Sequence, residues 1–514
     1  MVTSLGILAL NRMPEPSGVL QKRRLTDLPL EILIAILEES EWRGVLQLRK
    51  TCMALYEASK AQSIWLKLCK GYLAPSATSP QVLHLERPVQ MYNSEELEFL
   101  FLRFHGAEIA WRREDTPPSR KITTTTRAAV VHLIEGGRWL LLVSNVGSVT
   151  YLDLDSDTIN ETVLIPGQID DPTPMLWRNI TMWMDVDIDR ASPFLAFNIA
   201  FSFCSLEDTR GPMEHKIQVW HVDLVLDERQ LGVGLTAQRV ATFPLEMDIR
   251  ILRDLSLLGP HVAFAVRCRR YVEPEKTFVV DWNRANGRSN YPRRLIHPAY
   301  GPEAIYLLPN AKLFVLLPYG VYLFDFSTVE ETTSLPSMYD PEDTVARLWG
   351  AEFKLYPKRL STSSPYFYTG TTVRFVVRGL TGIYGVTIDY HSSNPFSSSG
   401  AEPGRVVKLM DFPSSVSEMS RDAHIFFGSS SALILDGKMA TYLVRYSWPD
   451  NRFDDSNDDD VVIPASSWLR MERTLDCCRL GVAVDVESGR VVVSGTSPDE
   501  PGHHHIVLDY SLVY

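Results

Sequence analysis

Asp185 and Asp187 stand two residues apart on a stretch that reads as a strand, where alternation places both on one face. A glycoside hydrolase uses two such carboxylates, one as acid and one as base or nucleophile. Acidic residues near strand ends are common, however, and no other residue of such a site joins this pair. His503-His504-His505 puts two imidazoles on one side of a strand, with Asp499 close by. Zinc takes three or four ligands in a closed set, and no fourth lies nearby, so the run reads as a polar strand entry. Asp454-Asp455-Ser456-Asn457-Asp458-Asp459-Asp460 has oxygen enough for calcium. It lacks the glycine and glutamate of an EF-hand loop and reads as an acidic, disordered insertion. Cys477-Cys478 reads as two thiols at a strand start rather than a redox pair. There is no G-x-S-x-G elbow, H-E-x-x-H, Walker loop or G-x-G-x-x-G. The expectation is a binding protein that has no catalytic centre, metal or cofactor.

The composition limits what it binds. With 514 residues the chain exceeds one core, so two or three domains are expected. Hydrophobic residues at 45% and charged residues at 22% are ordinary for a soluble globular protein. A net charge of −12 disfavours general nucleic-acid binding, which needs a basic face. Six cysteines without a C-x-x-C pair read as reduced thiols. No run approaches the roughly 20 apolar residues of a membrane span. The opening MVTSLGILAL lacks the charge and cleavage site of a signal peptide. The expected setting is the cytoplasm, the nucleus or both, without membrane attachment.

Residues 1–24 read as a flexible arm broken by Pro14, Pro16 and Gly18, with Lys22-Arg23-Arg24 as a solvated basic run. The pattern then tightens in LTDLPLEILIAILEES. Asp27 is the expected N-cap, Pro29 falls in the first turn, and Leu28, Ile32, Leu33, Ile36 and Leu37 form an apolar stripe. A second stripe holds Val45, Leu48, Cys52, Leu55 and Tyr56, and a third short helix surrounds Trp65. Three short helices over about 45 residues cannot bury enough surface to stand alone, so this apolar content needs a second surface. From pattern alone that surface is the chain's own larger domain.

The order L-x-x-L-P-x-E-I-L, then I-L, then L-R-x-T-C-x-x-L-Y, then a tryptophan about ten residues on, resembles an F-box. Here those positions are Leu25, Leu28, Pro29, Glu31, Ile32, Leu33, Ile36, Leu37, Leu48, Arg49, Thr51, Cys52, Leu55, Tyr56 and Trp65. The acidic stretch Glu38-Glu39-Ser40-Glu41 departs from the family pattern, where another apolar residue is frequent. The resemblance implies a docking module at residues 25–70 for the Skp-type adaptor of a cullin-RING ubiquitin ligase. The residues it assigns to the adaptor are Leu28, Pro29, Ile32, Leu33, Ile36, Leu37, Val45, Leu48 and Cys52. Residues 71–120 read as a helical linker whose main helix, 93–114, opens on an Asn93/Glu96 capping pair. A leucine-rich helix closing on tryptophan and arginine is similar to what fungal F-box proteins carry, and would act as a rigid spacer.

From residue 121 to 514 the pattern becomes strand and turn. One motif recurs, a hydrophobic strand closing on Asp153, His221, Asp281, Asp325, Asp389, Arg445 or Asp509, at intervals of 44 to 68 residues. Strand–turn–strand units at that period point to a propeller of four-stranded blades, and the seven markers predict seven blades. The strand at 216–222 resembles a WD-repeat strand, but Gly-His and Trp-Asp dipeptides do not recur. The fold class expected is α+β multidomain: three small helices, a linker helix, then an all-β seven-bladed β-propeller, with paired β-sandwiches as the alternative. Aromatic and arginine anchors near predicted turns are the candidates for binding a protein substrate: Trp177, Arg178, Trp183, Arg269, Arg270, Tyr271 and Tyr319. Two readings follow. One is a substrate receptor reaching a cullin through its adaptor, and the other is an interaction scaffold with an F-box-like helical cap.

Overall fold

The computed structural model describes residues 25–73, 82–112, 119–124, 128–144, 146–167, 180–205, 215–245, 249–268, 275–298, 301–333, 347–353, 367–369, 372–391, 402–412, 424–428, 431–435, 441–446, 448, 468–471, 481–485, 488–496 and 503–511. The chain divides into two compact units, and the division falls after Leu68. Among the described residues no helix is long and apolar enough to cross a membrane.

The first unit is built from α1 (Leu30–Glu38), α2 (Trp42–Arg49), α3 (Met53–Ala58) and most of α4 (Gln62–Lys70). Two sequence expectations change here. Leu25–Asp27 forms a 3-10 turn, closed by the Leu28 amide on the Leu25 carbonyl, so Asp27 stands before the helix rather than capping it. Pro29 takes the cap position, and the Ile32 and Leu33 amides bond its carbonyl. The second apolar stripe is two helices, not one. Thr51 turns its hydroxyl onto the Leu48 carbonyl at 2.7 Å, and Cys52 is extended, which ends α2 and restarts the chain as α3.

The second unit begins with an α-helix and ends with sheets. In α5 (Ser94–Arg112) the expected capping pair forms: the Asn93 amide donates to Glu96 and the Glu96 amide to Asn93, at 2.8 and 2.9 Å. Leu97, Phe101, Phe104, Ala107 and Ala110 are buried, and the Tyr72 ring meets Phe101 and Phe104 edge-on. Gly489 sits at φ +75°, where a Cβ would come within 2.8 Å of the Ala107 Cβ, so the helix lies directly on the sheet turn. The stretch expected as a spacer is thus built into the β unit.

After β1 (Arg120–Thr124) come β2 (Val130–Leu133), β3 (Trp139–Val143), β4 (Val149–Asp153) and β5 (Thr162–Ile165), which form sheet 1. Sheet 2 is β6 (Ile180–Ile188), β7 (Ala196–Ser205), β8 (Lys216–Leu226) and β9 (Gly232–Pro244). Sheet 3 is β10 (Ile249–Leu258), β11 (His261–Cys268), β12 (Lys276–Asp281) and β13 (Arg294–Ile296), with the short α6 (Trp282–Ala285) after β12. Sheet 4 is β14 (Ala304–Leu308), β15 (Lys312–Leu317), β16 (Gly320–Asp325) and β17 (Arg347–Glu352). Sheet 5 is β18 (Phe367–Thr369), β19 (Thr372–Arg378), β20 (Gly382–Asp389) and β21 (Gly404–Asp411). Sheet 6 is β22 (His424–Phe427), β23 (Ser431–Leu435), β24 (Thr441–Arg445) and β25 (Trp468–Met471). Sheet 7 is β26 (Gly481–Asp485), β27 (Arg490–Thr496) and β28 (His503–Asp509), completed by β1 from the other end of the unit.

Seven four-stranded antiparallel sheets therefore stand among the described residues. The seven strands marked by sequence are β4, β8, β12, β16, β20, β24 and β28, each the third of its sheet. The recurring aspartate has a mechanism. Asp153, Asp281, Asp325, Asp389 and Asp509 each accept the backbone amide two residues on, at 2.9 to 3.0 Å. Each caps an Asx turn that takes the chain out of the strand. Arg138, Lys312 and Arg490, next to or at the head of the preceding strand, bind Asp153, Asp325 and Asp509. At His221 the pattern breaks because β8 runs on to Leu226, and Asp227 makes the turn instead, accepting the Arg229 amide at 2.8 Å.

Consecutive sheets share their cores. Trp139, Val143, Phe197 and Phe201 join sheets 1 and 2, and Val219, Phe243, Phe264 and Val280 join sheets 2 and 3. Ala263, Val279, Val315 and Phe324 join 3 and 4. Phe314, Leu323, Phe375 and Val386 join 4 and 5, and Val376, Leu409, Ile425 and Ile434 join 5 and 6. Leu140, Leu152, Val492 and Val507 join sheet 7 to sheet 1.

Candidate docking surface

The small unit is locked from inside by residues of its own motif. Arg49 Nε donates to Ser59 Oγ at 2.8 Å, and Trp65 Nε1 to the Ser59 carbonyl at 2.9 Å, while Arg49 lies over the Trp65 ring. Leu33, Leu37, Val45, Leu55, Ile64 and Trp65 are buried. The acidic stretch after α1 is accommodated in the open, since Glu39 pairs with Lys67 at 2.8 Å and its carboxyl is held below the usual range by that hydrogen bond. Ser40 returns its hydroxyl to the Ile36 carbonyl at 3.0 Å.

Part of what the unit leaves outside is apolar. Leu28, Ile32 and Ile36 recur at intervals of four, so they lie along one face of the turn and α1, and all three are exposed. Leu25, Pro29 and Leu30 are exposed beside them. On α3, Met53 at 72% and Tyr56 are exposed three residues apart, with Lys60 over the Tyr56 ring at 4.2 Å. The nine residues assigned to an adaptor therefore separate. Leu28, Pro29, Ile32 and Ile36 are exposed, Leu48 and Cys52 are half-buried, and Leu33, Leu37 and Val45 are enclosed. The enclosed three cannot be touched by a partner; they hold the helices together. Sequence reasoning included them because a stripe of apolar residues does not say which edge faces inward. It missed Leu30 and Met53 for the same reason.

On the β unit, Tyr319 occupies the β15–β16 turn and is 56% exposed, and Leu380 is exposed in the equivalent β19–β20 turn. Trp183 lies inside β6, away from any turn, half-buried against the core shared by sheets 2 and 3. Trp177, Arg178, Arg269, Arg270 and Tyr271 fall outside the described residues, as do Asp454–Asp460, Cys477-Cys478 and Asp499.

The residues that raised chemical possibilities have structural partners. Asp185 accepts the Leu257 amide and Asp187 the Gly259 amide, both at 2.7 Å, so the two carboxylates reach from β6 to the free edge of β10 and to the turn that follows it. Asp254 does the same from β10 to the Ile305 amide at 2.7 Å, helped by Ser256 to Leu307 at 3.0 Å. Burial pushes the carboxyls of Asp185 and Asp254 up to about 7. His505 is buried between Thr124 and Ser494 across its strand. Among the described residues no three His, Cys, Asp or Glu side chains gather as a metal site.

No protein-family model matches the chain, and no curated protein matches it. Among solved structures it is similar to the WD40 domain of SCAP from fission yeast, with a TM-score of 0.35 and 11% identity over 75% of this chain and 84% of that one. It is also similar to the β-propeller domain of Cps50 (Swd1) from Myceliophteria thermophila, with a TM-score of 0.44 and 12% identity over 78% of this chain and all of that one.

Proposed function

We propose that the chain is the substrate-recognition subunit of an SCF-type cullin-RING ubiquitin ligase. Its helical unit docks onto a Skp-type adaptor as an F-box, and its β unit, a seven-bladed propeller, holds a protein substrate in the cytoplasm or nucleus. Ubiquitin transfer is catalysed by other subunits. The observation that carries the reading is the exposed row Leu28–Ile32–Ile36, set where the F-box pattern puts adaptor contacts. A unit this small has little apolar surface to spare, and leaving a whole row in water is unfavourable unless a partner covers it. The propeller reading draws on the stacking of sheets 1 to 6 in order, the packing of sheet 7 on sheet 1, and the completion of sheet 7 by β1.

The test is co-expression of the full chain with a Skp-type adaptor and calorimetry on the pair. Ile32→Ala and Leu28→Ala remove exposed atoms, so the unit stays folded, and each is expected to cost about 1–3 kcal/mol of binding. An adaptor that fails to bind the wild type would end the receptor reading. Binding without cullin capture would leave an adaptor-bound scaffold.

A further inference from the structure

Arg374 is 4% exposed, and its Nε has no hydrogen-bond partner. Its one described interaction is with the Trp448 ring, 4.9 Å from the guanidinium carbon. A guanidinium keeps its charge at any ordinary pH, and burial disfavours that charge, lowering its pKa. By contrast, two other buried arginines of this unit are ion-paired: Arg490 binds Asp509 and Asp155, and Arg103 binds Asp155. Among the described residues no carboxylate pairs with Arg374, and an enclosed cation without a counter-charge is costly.

The register shows what surrounds it. Val373, Phe375 and Val377 face sheet 4, and Val376 faces sheet 6, so alternation turns Arg374 toward sheet 6. Arg374 stands opposite Thr387 on β20, and Thr387 opposite Arg405 on β21. The three form one cross-strand row with two guanidiniums flanking a hydroxyl, their Cα atoms spanning roughly 10 Å. Arg405 is exposed, and among the described residues neither Arg405 nor Thr387 has a side-chain hydrogen bond or ion pair. Trp448 closes the neighbouring row, where its ring fills the place of a side chain at Gly385.

We propose that this row is a binding site for the oxyanion of a ligand, a carboxylate or a phosphate, held between Arg374 and Arg405 with the Thr387 hydroxyl as a third donor. Arginine matches the planar, two-oxygen edge of such groups, and a stacked guanidinium is already oriented for it. The site lies on the flank of sheet 5 and does not depend on adaptor docking.

The full-length protein, in chloride buffer at fixed ionic strength, is titrated with inorganic phosphate and separately with malonate, read by thermal melting and calorimetry. At least one oxyanion is expected to raise the melting temperature saturably with one-to-one stoichiometry. Arg374→Gln abolishes that effect, and Arg405→Gln weakens binding about tenfold. Without oxyanion, Arg374→Gln melts at or above the wild type, because it removes an uncompensated cation. Phosphate alone would identify a phosphoryl ligand, malonate alone a carboxylate, and either result supports the site. The proposal is overturned by no saturable effect, by an unchanged effect in Arg374→Gln, or by Arg374→Gln melting lower in the oxyanion-free buffer, which would reveal a partner within the protein.

Discussion

Asp155 is held by two arginines distant in sequence. Arg103 from α5 reaches it at 2.9 Å, and Arg490 from β27 at 2.6 Å. Burial pushes its carboxyl upward, but the two guanidiniums outweigh burial and lower it to about 2. The unfolded chain titrates near the ordinary value of about 3.9, so the stabilisation is complete above that pH and is lost as pH falls toward 2. A shift of this size is worth on the order of 2 kcal/mol. Asp155→Asn is therefore expected to be less stable than the wild type by about that much at pH 7 and nearly equal near pH 2, measured by urea unfolding at both pH values. Equal deficits at both would assign the loss to packing rather than charge.

First strands of neighbouring sheets are joined by the carboxylates of Asp185 and Asp254, and these act in the opposite sense. Burial raises both to about 7, so the folded state holds protons that the unfolded chain releases near pH 4. Stability contributed at these sites falls as pH rises from about 4 through 7. An asparagine oxygen can still accept the Leu257 or Ile305 amide. The double variant Asp185→Asn with Asp254→Asn should therefore melt above the wild type at pH 8, with a flatter profile between pH 5 and 8; an unchanged slope would place the titration elsewhere. The contrast shows what can be read from a sequence. The marker strands, the Asn93/Glu96 pair and the apolar helices are local patterns, and local patterns reveal elements. The Arg103–Asp155 pair and the amides taken by Asp185 and Asp254 join residues 51 to 72 positions apart, so their roles appear only when the sheets are stacked. Asp185 and Asp187 therefore invite a catalytic reading in sequence, whereas in the fold they satisfy a sheet edge and the turn that follows it. The helical unit divides the same way: the period locates α1, but only packing separates enclosed Leu33 and Leu37 from exposed Ile32 and Ile36.

At the scale of the whole β unit, an open row of sheets and a closed ring differ in how far damage travels. In an open array each unit depends mainly on its neighbours, so destabilisation stays near its source. In a ring the last sheet also supports the first, and breaking the seam releases both ends. In the ring proposed above sheet 7 would be that seam, since β28 pairs with β27 on one side and β1 on the other. Val507 sits in the middle of β28, fully buried, opposite Val492 and Ile122 and within the core shared with sheet 1. Val507→Ala deletes two methyl groups there and is expected to cost about 1–3 kcal/mol. For a closed ring, hydrogen exchange should show protection falling by a similar factor in β15 and β16 of sheet 4 as in β3 and β27 beside the cavity, because all open together. Loss confined to sheets 7 and 1, with sheet 4 unchanged, would mean that the sheets unfold as a linear stack. The substrate surface proposed above would then be the flank of an extended array rather than the face of a ring.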